Sequence, residues 1–179
     1  FYHYFAQDAI NRYSLGKLGY DYTITTENVF EEFLKRSYSS LKNEREQLHR
    51  FMDDLLKSFK KFGQNFKELI ENAESDSPYR KMFSFLGLGA AVYPLIISLK
   101  SEDILDNRLL KIIEALDLRV YKVRGTDPRA DLYKNTISKI KINPDPNEIS
   151  EGIKTFIETW MRNTELQTYL DRNMYGNPA

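Results

Sequence analysis

The chain has 179 residues, enough for one ordinary domain, and its 26 basic residues are balanced by 26 acidic ones. Zero net charge removes any bulk electrostatic case for a nucleic-acid or anionic-membrane partner, so a basic site has to be local. Cysteine is absent and His3 and His49 are the two histidines, which excludes disulfides, thiolate metal sites and cysteine nucleophiles and leaves few groups for acid–base work at neutral pH.

Apolar residues recur three and four apart along most of the chain, and sustained alternation is nearly absent, so the expected class is all-α: an irregular bundle of seven or eight helices. The residues from Phe1 lack the basic-then-apolar layout of a secretion signal, and the sequence reads as an excised piece, 1–179, of a cytoplasmic protein, with possible sub-parts 1–73 and 79–175. A first helix runs from Phe1 to about Tyr13. Gly16, Gly19 and the polar stretch from Asp21 to Thr26 then supply a loop and capping residues. Val29, Phe30, Phe33 and Leu34 mark a buried stripe on the next helix, with Glu31–Lys35 and Glu32–Arg36 pairing on its wet side.

From Leu41 the spacing becomes a heptad. Leu48, Leu55, Phe62 and Leu69 follow at sevens, with Met52, Phe59 and Phe66 between them. An unbroken helix from Leu41 to Asn72 would be about 48 Å long at 1.5 Å per residue, more than a compact domain needs. Its face has two readings, packing against the first two helices or an interface with another chain or domain.

Glu74 to Pro78 reads as a loop, after which Tyr79–Leu86 and Ala90–Lys100 form an apolar helical pair. The uncharged run from Met82 to Leu99 just reaches the length of a bilayer span, but Gly87 and Gly89 divide it and Pro94 and three hydroxyl groups interrupt it, so a buried pair is expected and no membrane partner. Leu109, Leu110, Ile112, Ile113, Leu116, Val120 and Val123 trace one face of a helix from about Asp103 to Gly125. Asp127 and Pro128 have the form of an N-cap and first turn for a helix reaching about Lys141. The two prolines between Asn143 and Asn147 break the chain. Ile149, Ile153, Phe156, Ile157 and Trp160 build the next helix, and Thr164 with Gln167 has capping-box spacing for a last one. Phe59, Phe62, Leu110, Ile113 and Trp160 are the side chains expected to matter most for stability.

Signals for chemistry are few. Glu46 and His49 have Glu-x-x-His spacing, but a di-iron site needs a second such pair, and His3 has no glutamate before it. Gly87-Leu88-Gly89 imitates a dinucleotide fingerprint, yet Val92 fills the third glycine position and no strand–helix alternation follows, so a turn between helices is expected. Lys111 to Lys141 holds eight Lys/Arg against four Asp/Glu, with Arg119, Lys122, Arg124 and Arg129 at one interhelical corner. These four are the candidate contacts to nucleic-acid phosphates. The alternative is that they complement a helix dipole and cap carbonyls. The 12 tyrosines and 11 phenylalanines fall mostly on helical stripes and read as core. Glu114 and Asp117 are the carboxylates an independent enzyme would use, though no motif converges on them.

The run Val92-Tyr93-Pro94-Leu95, then Leu109-Leu110-Lys111-Ile112-Ile113-Glu114, leading to Leu118-Arg119-Val120-Tyr121-Lys122-Val123-Arg124-Gly125, resembles the helical region of GmrSD-type restriction proteins, bacterial type IV defence proteins directed at modified phage DNA. The segment from Tyr22-Thr23 to Leu34 and the long charged helix extend the resemblance over most of the chain. In that family a ParB/sulfiredoxin-like N-terminal domain is associated with nucleotide use, and a C-terminal His-Me finger domain carries the nuclease. The chain has no Asp-Gly-Gln-Gln-Arg-type motif and no histidine after His49, so neither set of catalytic residues carries over. The resemblance implies a helical middle section, without cofactor, ending near Tyr175-Gly176-Asn177-Pro178 where a nuclease module would begin. Such a section would connect and orient flanking domains of the same polypeptide, with DNA as one further partner and a second copy, met through the 41–72 helix, as another.

Overall fold

The computed structural model describes residues 1–13, 15, 24, 27–74, 80–82 and 87–175. Every regular element among them is helical, in eight principal helices, so the fold is all-α. The chain divides into two compact units, residues 1–67 and 68–179. The expected loops at 16–26 and 74–78, most of the helix at 79–86, and the end at 176–179 lie outside the described residues.

In the first unit α1 spans Tyr2–Arg12 and buries Tyr2, Tyr4, Phe5, Ala6, Ala9 and Ile10. The second helix, α2, starts as a π-helical stretch, Phe30–Lys35, and continues as α-helix over Arg36–Leu41. Glu31–Lys35 and Glu32–Arg36 pair along its wet side at 2.8 and 2.6 Å, as the spacing predicts. The stripe itself is narrower than expected: Phe33 is buried, whereas Phe30 is 62% exposed. A π-helical turn holds more residues than an α turn, so positions three apart there no longer share one face.

The long helix α3 spans Arg45–Glu74, so the expected start at Leu41 is corrected. Leu41 is the buried last residue of α2, and a tight turn at 42–44, in which Glu44 N–H donates to the Leu41 carbonyl, separates the two helices. Its 30 residues give a length of about 45 Å. Phe51 faces inward and packs edge-on against Phe33 and Tyr13 and tilted against Phe5, with ring centroids 5.5 to 6.3 Å apart. Leu48, Leu55 and Phe62 are half-buried, while Met52, Leu56 and Phe59 face solvent. Phe59, expected in the core, is 61% exposed and touches Phe1 with a ring edge.

A polar knot ties the end of α1 to α3. Tyr13 OH donates to Asp54 Oδ2 at 2.5 Å and Arg12 Nη1 donates to the same oxygen at 2.7 Å. Burial, then the bond to Asp54, pushes the Tyr13 phenol up to about 12. The Tyr13 hydrogen bond and Arg12 hold the Asp54 carboxyl below its usual range. A raised phenol stabilises the fold below its unfolded value of about 10 and loses that contribution as pH climbs to about 12. A lowered carboxyl contributes above its ordinary value near 3.8 and is lost as pH falls through the depressed one. Urea unfolding across pH is therefore expected to show both losses, and Tyr13→Phe is expected to shrink the alkaline one, the remainder of which belongs to the chain's other raised phenols; an alkaline limb of unchanged size in Tyr13→Phe would refute the assignment.

In the second unit α4 begins as a tight turn at Ala90–Val92 and continues over Tyr93–Ser101. Leu95, Ile96, Ile97 and Leu99 are all fully buried, as a helix apolar all round requires, and the Ser98 hydroxyl is satisfied by the Pro94 carbonyl at 2.7 Å. No helix among the described residues is long and apolar enough to cross a membrane. Gly87 enters this helix with φ of +60°, consistent with the expected turn.

Helix α5 joins Asn107–Leu116 to a π-helical continuation, Asp117–Val123. Its start lies later than expected because Asp106, not Asp103, caps it, accepting from Leu109 N–H at 2.7 Å. Leu109, Leu110, Ile113, Leu116 and Val120 are buried, and Gly125 at φ +70° ends the element. Next comes α6, built from Arg129–Leu132, a π-helical turn Tyr133–Ile137, and Ser138–Ile142. Pro128 occupies its N-cap position, and the Asp127 carboxylate pairs with Arg129 instead of capping.

Helix α7 spans Pro146–Trp160, capped by Asp145, whose side chain accepts from Asn147 N–H at 2.8 Å. The last helix, α8, spans Asn163–Tyr175. Its start is held by Glu165, which accepts from Arg162 N–H at 2.9 Å, half of a capping box placed two residues before the Thr164–Gln167 pair expected. Packing of α5 on α7 and of α4 on α6 encloses the core of this unit.

Candidate functional site

The four cations singled out by the sequence lie on the π-helical end of α5 and the first turn of α6. Each has an internal partner. Arg119 reaches the C-terminus of α7, where Nη2 donates to the Met161 carbonyl and stands 3.4 Å from Glu158 Oε1; its side chain is 14% exposed. Arg124 Nη1 donates to the Trp160 carbonyl and lies 3.6 Å from Glu165 on α8. The two arginines thus satisfy carbonyls that the helix leaves unpaired, place positive charge at the negative end of its dipole, and tie α5 to the α7–α8 junction.

Lys122 turns to Asp117, with Nζ 2.5 Å from Oδ2. Asp117 is 3% exposed, and its other oxygen accepts from Gly89 N–H at 3.0 Å. This carboxylate therefore joins the turn before α4 to α5. A Cβ on Gly89 would sit 2.7 Å from Asp117 Oδ1, so glycine is needed there for close approach. Gly89→Ala is expected to lower the melting temperature by several degrees, read by circular dichroism; an unaltered midpoint would show that the carboxylate simply moves aside.

Arg129 pairs with Asp127 two residues away. Close by are two phenols the sequence did not single out. Burial pushes Tyr133 upward, and its hydroxyl donates to the Ala91 carbonyl at 2.8 Å. Burial pushes Tyr121 upward as well, with the Asp127 charge adding to it. The Tyr121 hydroxyl oxygen is buried without a hydrogen-bond partner among the described residues.

The remaining chemical candidates are separated. Glu114 pairs with Lys81 at 2.6 Å. Glu46 and His49 stand exposed on α3, and no group of three His, Cys, Asp or Glu side chains among the described residues is arranged to hold a metal ion. A groove of about 460 Å³ between α6 and α7 has Asp131 and Lys139 as its charged lining, beside Thr155, Thr159 and Trp160. It lacks a nucleophile paired with a base. No protein-family model, curated protein or solved structure matches the chain.

Proposed function

We propose that this chain is a non-catalytic helical scaffold: the connecting section of a GmrSD-like restriction protein, positioning a nucleotide-binding domain and a nuclease domain carried elsewhere in the same cytoplasmic polypeptide. The observation that carries the scaffold role is the use to which the candidate groups are put. Arg119 and Arg124 close the end of α7, and Asp117 with Lys122 holds the turn before α4, so these groups fix helices to one another. The link to that restriction family rests on the resemblance of the segments between Val92 and Gly125. In this reading the parent protein is the nucleotide-dependent endonuclease and the segment itself takes no cofactor.

The second reading is a DNA-binding helical module. Lys122 and Arg129 favour it, because their side chains remain 33% and 47% exposed. Salt dependence separates the two readings. For a scaffold, the chain at low ionic strength is expected to bind duplex DNA weakly, with no change on neutralising Arg119, Lys122, Arg124 and Arg129. Binding that falls steeply with salt, and loses about one unit of log–log slope per neutralised residue, would support the module instead. Turnover of nucleotide or DNA by the isolated chain would contradict both.

A further inference from the structure

We propose that the outer face of α3 in the first unit is a self-association surface, on which a second copy of this chain packs its own α3 antiparallel to the first. Met52, Leu56 and Phe59 succeed one another four and three residues apart, which is the spacing of a second seam beside the inward one. They are 46%, 63% and 61% exposed. Phe30 and Tyr38 on α2 are exposed as well, and two apolar grooves between α2 and α3, floored by Leu34 and Leu55, run along this face. The outer seam continues through Gly63, which is mid-helix and has open space where a Cβ would lie, so nothing among the described residues requires glycine there.

The charges beside the seam name the occupant. Along the outer edge the flanking positions are Glu46 and Asp53 in the N-terminal half, then Lys60 and Lys67, all exposed. The inner edge is Leu48, Leu55 and Phe62, turned toward the chain's own core. A parallel copy would set the acidic ends side by side and the basic ends side by side. An antiparallel copy sets Glu46 against the partner's Lys67 and Asp53 against the partner's Lys60, and symmetry repeats both pairs. The same register opposes Leu56 to the partner's Phe59 and Met52 to the partner's Gly63, whose missing side chain makes room for a long, adaptable one. Sliding one helix by a heptad would instead bring Asp53 against its own copy. The exposed parts of the five large apolar side chains supply on the order of 500 Å² per protomer, with the charged rim bringing the area toward the ~800 Å² per partner of a specific interface.

Sedimentation of the whole chain at tens of micromolar tests this. The expected mass is twice the 21.1 kDa of one chain, returning to a monomer of unchanged helicity in Leu56→Glu. Lys60→Glu with Lys67→Glu is expected to weaken the dimer about tenfold or more, and adding Glu46→Lys with Asp53→Lys is expected to restore it. Because the chain has no cysteine, oxidation of a mixture of Leu56→Cys and Phe59→Cys chains maps the direction: the mixed disulfide is expected to exceed either self-linked product. A chain monomeric at every concentration, a dimer indifferent to Leu56→Glu, or preferential self-linking of Leu56→Cys would each overturn the proposal. DNA binding and catalysis do not enter these readouts.

Discussion

Replacing Ile113 with aspartate is expected to abolish cooperative folding of residues 68–179. Ile113 is fully buried on the face of α5 that also buries Leu109, Leu110, Leu116 and Val120. The substitution removes about 1.5 to 3 kcal/mol of transfer free energy and places a carboxylate where nothing pairs with it, a further cost of several kcal/mol. Together these approach the whole stability of an ordinary domain, about 5 to 15 kcal/mol. Loss of the helical circular-dichroism signal, or of a sharp melting transition, is the expected reading. A soluble Ile113→Asp chain that melts like the wild type would mean that this face of α5 is not the core. Phe59→Ala makes the contrast. Its side chain was expected to rank with Ile113, but most of its ring is already in water, so the loss is expected to stay below about 1 kcal/mol.

The second large effect is expected at Asp117. Leucine there removes the acceptor for Gly89 N–H and the partner of Lys122 in one step. A hydrogen bond to a charged group contributes about 1.5 to 3 kcal/mol, and a buried N–H left unpaired costs a similar amount, so a loss of roughly 2 to 4 kcal/mol is expected. Asparagine retains an acceptor for Gly89 and gives up the ion pair alone, and should fall between wild type and leucine. Denaturant titration of the three proteins measures this order. Equal stability of all three would show that the contact between α5 and the turn before α4 contributes nothing.

Local chemistry made much of this fold legible in the sequence. Recurrence three and four apart gave the helical class, the two prolines between Asn143 and Asn147 marked a break between helices, Gly125 marked a helix end, and Glu31–Lys35 and Glu32–Arg36 were read correctly as surface pairs. Two of the errors share one cause. Whether Leu41 continues into α3, or which of two apolar lines on α3 faces inward, is decided by packing against α1 and α2, which the local spacing does not record. Asp127 looked like a cap because of its spacing, but Arg129 was the nearer partner. At the candidate site the clustering of arginines on α5 could be read directly. Their partners could not, since the Trp160 and Met161 carbonyls lie 36 and 42 residues further along the chain and carry no side-chain signature.

Thermal unfolding of the Arg119→Gln, Arg124→Gln double variant is the most direct test of the claim that this corner holds helices together. If the two guanidinium groups close the end of α7, their loss should remove about 2 to 3 kcal/mol and lower the midpoint by roughly 10 °C, with full helicity at low temperature. An unchanged midpoint, with DNA binding lost at low salt, would contradict the scaffold role and assign the arginines to a nucleic-acid surface.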